Sequence, residues 1–188
     1  MNRPLLRVWR ALALGASALA FAVAQEPSVG WAALPFRLTS PSFAQDAEIP
    51  SKSTCEGEDV SPALTWVGVP PGTMSLALVV DDPDAPDPKA PKTTWVHWVL
   101  YDIPPTLTAL PEDFTAKAPA HAGLNDWKEE GYRGPCPATG RHRYFFKLYA
   151  LDIVLPALSP ADKPALERAM AGHIVGHTVL VGQYGKKS

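Results

Sequence analysis

Three stretches of this 188-residue chain concentrate side chains able to hold an anion or move a proton. "VVDDPDAP" (79–86) carries Asp81, Asp82 and Asp84 directly after an apolar run. "WVHWVL" (95–100) sets His97 among aromatics, and "GPCPATGRHRY" (134–144) brings Arg141, His142, Arg143 and Tyr144 in behind a Gly/Pro loop. Carboxylates, imidazoles and a phenol are the groups that hydrogen-bond small polar ligands or do general acid–base work. Each stretch also has an ordinary reading. The aspartates fit a solvated acidic turn in which they cap backbone amides, and His97 fits a core histidine satisfied by its neighbours. His173 and His177 are four apart, a spacing that on a helix can hold a metal. Gly176 intervenes, however, and His177 is expected to start the last strand, so no metal site is expected. The chain has no GxSxG elbow, P-loop or HExxH sequence and no obvious nucleophile.

These side chains must be carried by strands. Period-2 or continuously apolar runs at 63–69, 75–80, 93–103, 144–151 and 178–184 are separated by Pro and Gly turn signals. The 21 prolines leave room for few long helices, so an all-β-dominated domain is expected. One helix signal stands out in "SPADKPALERAMAGHIVG" (159–176). There Ser159 can cap, Pro160 suits the first turn, and Gly172 or Gly176 can end the element. Its Ala165, Met170 and Ile174 side should pack on the sheet. A shorter helical or irregular segment is expected over 121–130. Alternation in "WVHWVL" puts Trp95, His97, Val99 and Tyr101 on one face, with Val96, Trp98 and Leu100 on the other. The same rule sends His142 and Tyr144 to one face and Arg143 and Phe145 to the opposite one, so only one of the two charged neighbours can share a pocket with Tyr144.

The length, 46% hydrophobic content and mixed charge fit one soluble globular domain. Arg3, Arg7 and Arg10 form a basic start, residues 11–22 are apolar, and "AVA" at 22–24 offers a small-residue cleavage point. A secretory signal peptide is therefore expected over 1–24, a flexible segment over 25–33 and the folded domain over 34–188. The apolar stretch is shorter than the roughly 20 residues of a membrane span. The expected location is periplasmic or secreted, without stable membrane insertion. Removing the three arginines takes Lys+Arg from 17 to 14 against 19 acidic residues, so the net charge moves from −2 to −5. Such a surface does not favour nucleic acid. Cys55 and Cys136 are the only cysteines, an even number in a chain read as exported, and a disulfide between them is expected.

"DDPDAP", "HWV" and "GPCPATGRHRYFFKLYALD", together with "TCEGEDVSPALTW" (54–66) and "GHIVGHTVLVGQYG" (172–185), resemble the phosphatidylethanolamine-binding protein family, in particular its bacterial Raf kinase inhibitor-like branch. The resemblance implies a β-sandwich in which a large antiparallel Greek-key sheet packs on a smaller one, with a few peripheral helices. It also implies a small pocket that takes phosphate, acetate or phosphoryl head groups. To that pocket it assigns Asp82, Asp84, His97, Gly134, Pro135, His142 and Tyr144, with the loop at Gly134 and Pro135 offering backbone donors. A carboxylate beside an anion needs an explanation. Either Asp82 hydrogen-bonds His97 or His142, or the ligand is a zwitterion such as phosphoethanolamine. The leading expectation is an extracytoplasmic binder of phosphate, phosphoethanolamine or a carboxylate, with no cofactor. An inhibitor or modulator of a kinase or protease is the alternative, and a weak phosphoester hydrolase the third. A protein partner and a homodimer remain open.

Overall fold

Each of the five apolar runs forms a strand in the computed structural model, which describes residues 34–187. The expected signal peptide and the segment 25–33 lie outside the described residues. In chain order the strands are β1 (Arg37–Thr39), β2 (Leu64–Val67), β3 (Ser75–Ala85), β4 (Thr93–Ile103), β5 (Ala109–Leu110), β6 (His121–Ala122), β7 (His142–Leu151) and β8 (Ile174–Tyr184). They make two antiparallel sheets, a small one ordered β1-β2-β5 and a large one ordered β6-β4-β3-β7-β8. The mostly-β expectation holds, with one α-helix, α1 (Lys163–Met170), and a 3₁₀ turn at Ser51–Ser53 among the described residues.

Alternation along the long strands builds two cores. Leu76, Leu78 and Val80 of β3, Trp98 and Leu100 of β4, and Phe146 and Leu148 of β7 meet Leu38, Leu64, Trp66 and Leu110 from the small sheet. The other face of β3 and β4 presents Ala77, Val79, Val99 and Tyr101 to Leu166 and Met170 of α1. Burial of each large apolar side chain contributes about 1.5–3 kcal/mol, so these two layers dominate stability.

The helix starts later than expected. Asp162, not Ser159, is its N-cap and accepts the Ala165 N–H at 2.9 Å, with Pro164 in the first turn. The cause is tertiary: Ala161 and Asp162 are drawn into extended pairing with Leu124, whose N–H donates to the Ala161 carbonyl, so helix can begin only after them. Its buried side is Leu166 and Met170, whereas Ile174 is exposed and opens β8. β8 thus begins three residues before His177. Residues 121–130 hold the short strand β6 followed by turns, not a helix. No helix of the described residues is long and apolar enough to cross a membrane.

One deviation decides where the chemistry lies. Val80 pairs with Trp98 but Asp81 pairs with Val96, so β4 carries one extra residue, His97, at a bulge. A bulge reverses the alternation beyond it. Val96 therefore joins the core of Val99 and Tyr101, and His97 packs on Tyr144, on the side of the sheet where Trp98 lies. The expected grouping of His97 with Val99 and Tyr101 is corrected accordingly. The freed backbone finds partners in the segment after β6: Val96 exchanges hydrogen bonds with Asp126, and the His97 carbonyl accepts the Arg133 N–H at 3.0 Å.

Candidate functional site

The three aspartates after the β3 apolar run belong to the strand itself, and each goes its own way. Asp81 faces α1, where its buried carboxylate accepts from Lys147 at 2.8 Å and Lys163 at 2.6 Å. Asp82 turns to the opposite face. Its Oδ1 accepts the Asp84 N–H at 2.8 Å and its Oδ2 lies 2.7 Å from His142 Nδ1. Asp84 is gripped by Arg143 through the backbone N–H at 2.9 Å, Nε at 2.9 Å and Nη2 at 2.7 Å. That guanidinium holds the Asp84 carboxyl below the usual carboxylate range. Of the two charged neighbours of Tyr144, His142 therefore shares its face and Arg143 does not.

Asp82, Trp95, His97, Trp127, His142 and Tyr144 line an open cavity of about 190 Å³, together with Ala85, Pro86 and the loop 136–138. His142 lies near-parallel to Tyr144, their ring centres 6.5 Å apart, and His97 meets Tyr144 edge-on at 5.2 Å. Both nitrogens of His142 face oxygens, Asp82 Oδ2 at 2.7 Å and the Thr139 carbonyl at 3.0 Å. Both oxygens of Asp82 are engaged as well, Oδ1 by the Asp84 N–H and Oδ2 by the His142 ring. His97 Nδ1 lies 2.6 Å from the Arg133 carbonyl and must carry its hydrogen there, which leaves Nε2 an acceptor in the neutral ring. Burial pushes the His97 pKa down and so favours that neutral ring.

Two residues that line the cavity carry buried donors with no acceptor among the described residues, the Tyr144 hydroxyl and the Trp95 indole N–H. Burial also pushes the Tyr144 pKa up, which keeps the phenol a donor.

Gly134, Pro135 and Asp84 do not line this cavity. The Gly134 N–H donates to Asp59 Oδ1 at 2.6 Å, and the Pro135 carbonyl accepts the Cys55 N–H at 3.1 Å. A Cβ at Gly134 would collide with the Ser53 carbonyl oxygen, so the close approach that needs glycine is to the protein's own 53–54 segment. The wall is supplied further along by Cys136, Pro137 and Ala138. Cys55 and Cys136 are joined by a disulfide, Cα to Cα 5.4 Å, that ties this wall to the loop after the 3₁₀ turn.

Sequence reasoning did not single out Trp95 or Trp127. Trp127 packs edge-on against Trp95 at 5.3 Å and against His97 at 5.2 Å, and Asn125 Oδ1 steadies it by accepting the Trp127 and Glu129 N–H groups. An aromatic inside the polar run "NDWKEEGY" was the available signal. His173 bonds Asp152 at 2.9 Å while His177 stacks on Tyr149, and no group of three metal-ligating side chains forms among the described residues.

The pattern of the phosphatidylethanolamine-binding protein family matches residues 39–185. The chain belongs to that family. Within the family it is 46% identical over 151 residues to a UPF0098 protein of Methanothermobacter thermautotrophicus, covering 78% of this chain and 97% of that one. It is 45% identical to a UPF0098 protein of Chlamydia pneumoniae, covering 80% and 99%. A crystal structure of a putative phosphatidylethanolamine-binding protein homolog from Chlamydia trachomatis superposes with a TM-score of 0.75 at 40% identity, over 81% of this chain and 99% of that one. E. coli YbcL, described as a member of the mammalian family, gives 0.73 at 31% identity, over 82% and 100%.

Proposed function

We propose that this member of the family binds a small anion in the cavity above Asp82 and His142: phosphate, a carboxylate, or the phosphoryl end of phosphoethanolamine. The observation that carries the reading is the convergence of Asp82, Trp95, His97, His142 and Tyr144 on one cavity, where the Tyr144 hydroxyl and the Trp95 indole N–H have no acceptor among the described residues. A buried donor left unpaired costs about 1–3 kcal/mol, which a ligand oxygen would recover. The volume of about 190 Å³ suits a head group; sites for drug-sized ligands run to roughly 300–1,000 Å³. The acceptor at His97 Nε2 favours a ligand that also donates, such as an ammonium or a protonated phosphate. Calorimetric titration with phosphate and phosphoethanolamine tests this. Wild type should bind, and Tyr144→Phe should bind about ten- to a hundredfold more weakly, the worth of one hydrogen bond to a charged group. No binding by wild type, or equal binding by both, removes the reading; release of phosphate from a phosphoester would move it to the hydrolase alternative.

The proposed place of binding is outside the cytoplasm, resting on the basic start, apolar stretch and small-residue site of residues 1–24. Protein recovered from the cell envelope should begin at Gln25. A start at Met1 would sink this part of the reading.

A further inference from the structure

The stretch of loop that forms one wall of the cavity is tied down at its ends. Upstream, the Gly134 N–H donates to Asp59 Oδ1 at 2.6 Å and the Pro135 carbonyl accepts the Cys55 N–H at 3.1 Å. Downstream, the Thr139 carbonyl accepts from His142 Nε2 at 3.0 Å. Residues 136–138 lie between these anchors and are the part that lines the cavity. They make no hydrogen bond among the described residues, so the Cys55–Cys136 bridge is what fixes the start of the wall. Pro137 is buried, but Cys55 and Cys136 are both exposed. An exposed disulfide is open to attack by a thiolate, and accessible bridges are the labile and regulatory ones. Here one of the two bridged cysteines is itself part of the cavity lining.

We propose that the Cys55–Cys136 bridge is a redox control on the cavity. Oxidised, it presents residues 136–138 as a wall and steadies the Thr139 carbonyl on His142. Reduced, it releases that wall and weakens the hold on an anion. The step is thiol–disulfide exchange with a dithiol. One thiolate of the dithiol attacks a bridge sulfur, the S–S bond breaks and a mixed disulfide forms, which the second thiolate then resolves. The bridge takes up two electrons and two protons to become two thiols, and the dithiol is oxidised to a disulfide. The bonds at Gly134 and Pro135 involve no sulfur and stay in place, which confines the change to the wall. The inference rests on the anion reading of the same cavity and adds the means of its control.

Calorimetric titration with phosphate is run on oxidised protein, on protein reduced with dithiothreitol and on protein reoxidised afterwards, at a temperature where far-ultraviolet circular dichroism shows the fold intact in each. Reduction should weaken phosphate binding about tenfold, the combined worth of an ordered loop and one hydrogen bond, and reoxidation should restore it. Linkage requires the converse: saturating phosphate should raise, by the same factor, the ratio of reduced to oxidised dithiothreitol at which half of the bridge is open. The double variant Cys55→Ser, Cys136→Ser should bind as the reduced protein does, with or without dithiothreitol. If that variant does not fold, the half-reduction ratio of the wild type decides. Equal phosphate affinity in oxidised and reduced protein, or a half-reduction ratio that phosphate does not move, overturns the proposal and leaves the anion reading in place. Absence of phosphate binding by the oxidised protein removes both.

Discussion

Asp82 and His142 hold each other across a 2.7 Å hydrogen bond with both side chains buried, and the same carboxylate accepts the Asp84 N–H on its other oxygen. Each partner satisfies a group that would otherwise be buried and polar without compensation. Asp82→Ala should therefore cost about 3–5 kcal/mol of stability, the usual penalty for stranding one half of a buried pair. Urea denaturation measures it, and a midpoint equal to that of wild type would falsify the assignment. His142→Ala leaves Asp82 uncompensated beneath the cavity, and calorimetry should find phosphate affinity reduced about ten- to a hundredfold.

Asp84 stands two residues along the same strand, yet its carboxylate faces Arg143 and not the cavity. Its lowered pKa means that the ion pair stabilises the fold above the ordinary carboxylate value of about 3.9 and is lost as pH falls below it. Asp84→Ala should cost about 1–2 kcal/mol, the smaller end because Arg143 is half-exposed and screened. Phosphate affinity should stay within about twofold of wild type in that variant. A loss as large as that of His142→Ala would return Asp84 to the binding site.

Burial pushes the His97 pKa down, so the folded ring stays neutral at pH values where the unfolded ring takes a proton. Its contribution to stability is complete above the ordinary value of about 6.5 and declines as pH falls through that value toward the folded pKa. Urea midpoints at neutral and mildly acidic pH should show this decline in wild type. His97→Gln, which keeps a donor for the Arg133 carbonyl, should show a flatter profile. Parallel profiles in the two proteins would mean that another group governs the acid limb.

The Cys55–Cys136 bridge spans 81 residues of sequence and anchors the wall at Cys136. In the chain-entropy account such a closure is worth about 4 kcal/mol, so reduction or Cys55→Ser should lower the denaturation midpoint by a corresponding amount. Denatured, unreduced protein should show no free thiol on labelling; two labelled thiols per chain would contradict the bridge.

Apolar patterning in the sequence determined five of the strands, the separation of His142 and Tyr144 from Arg143, and the mostly-β class, because alternation is a local property of an extended chain; the short β1, β5 and β6 came only with the tertiary pairing. The cysteine count determined the bridge in the same way, since two cysteines allow a single intramolecular pairing. Tertiary structure decided the rest. His97 reaches Tyr144 only because β4 carries an extra residue opposite β3, and that bulge is held by Asp126 and Arg133, some thirty residues later. The Gly134 N–H, free for a ligand on a reading of its own loop, is taken by Asp59 from 75 residues upstream. In both cases the deciding partner is a backbone or carboxylate group distant in sequence. Local periodicity describes which way a side chain would point in a regular strand, but a buried N–H or carbonyl is committed by whichever partner the fold brings within hydrogen-bonding distance.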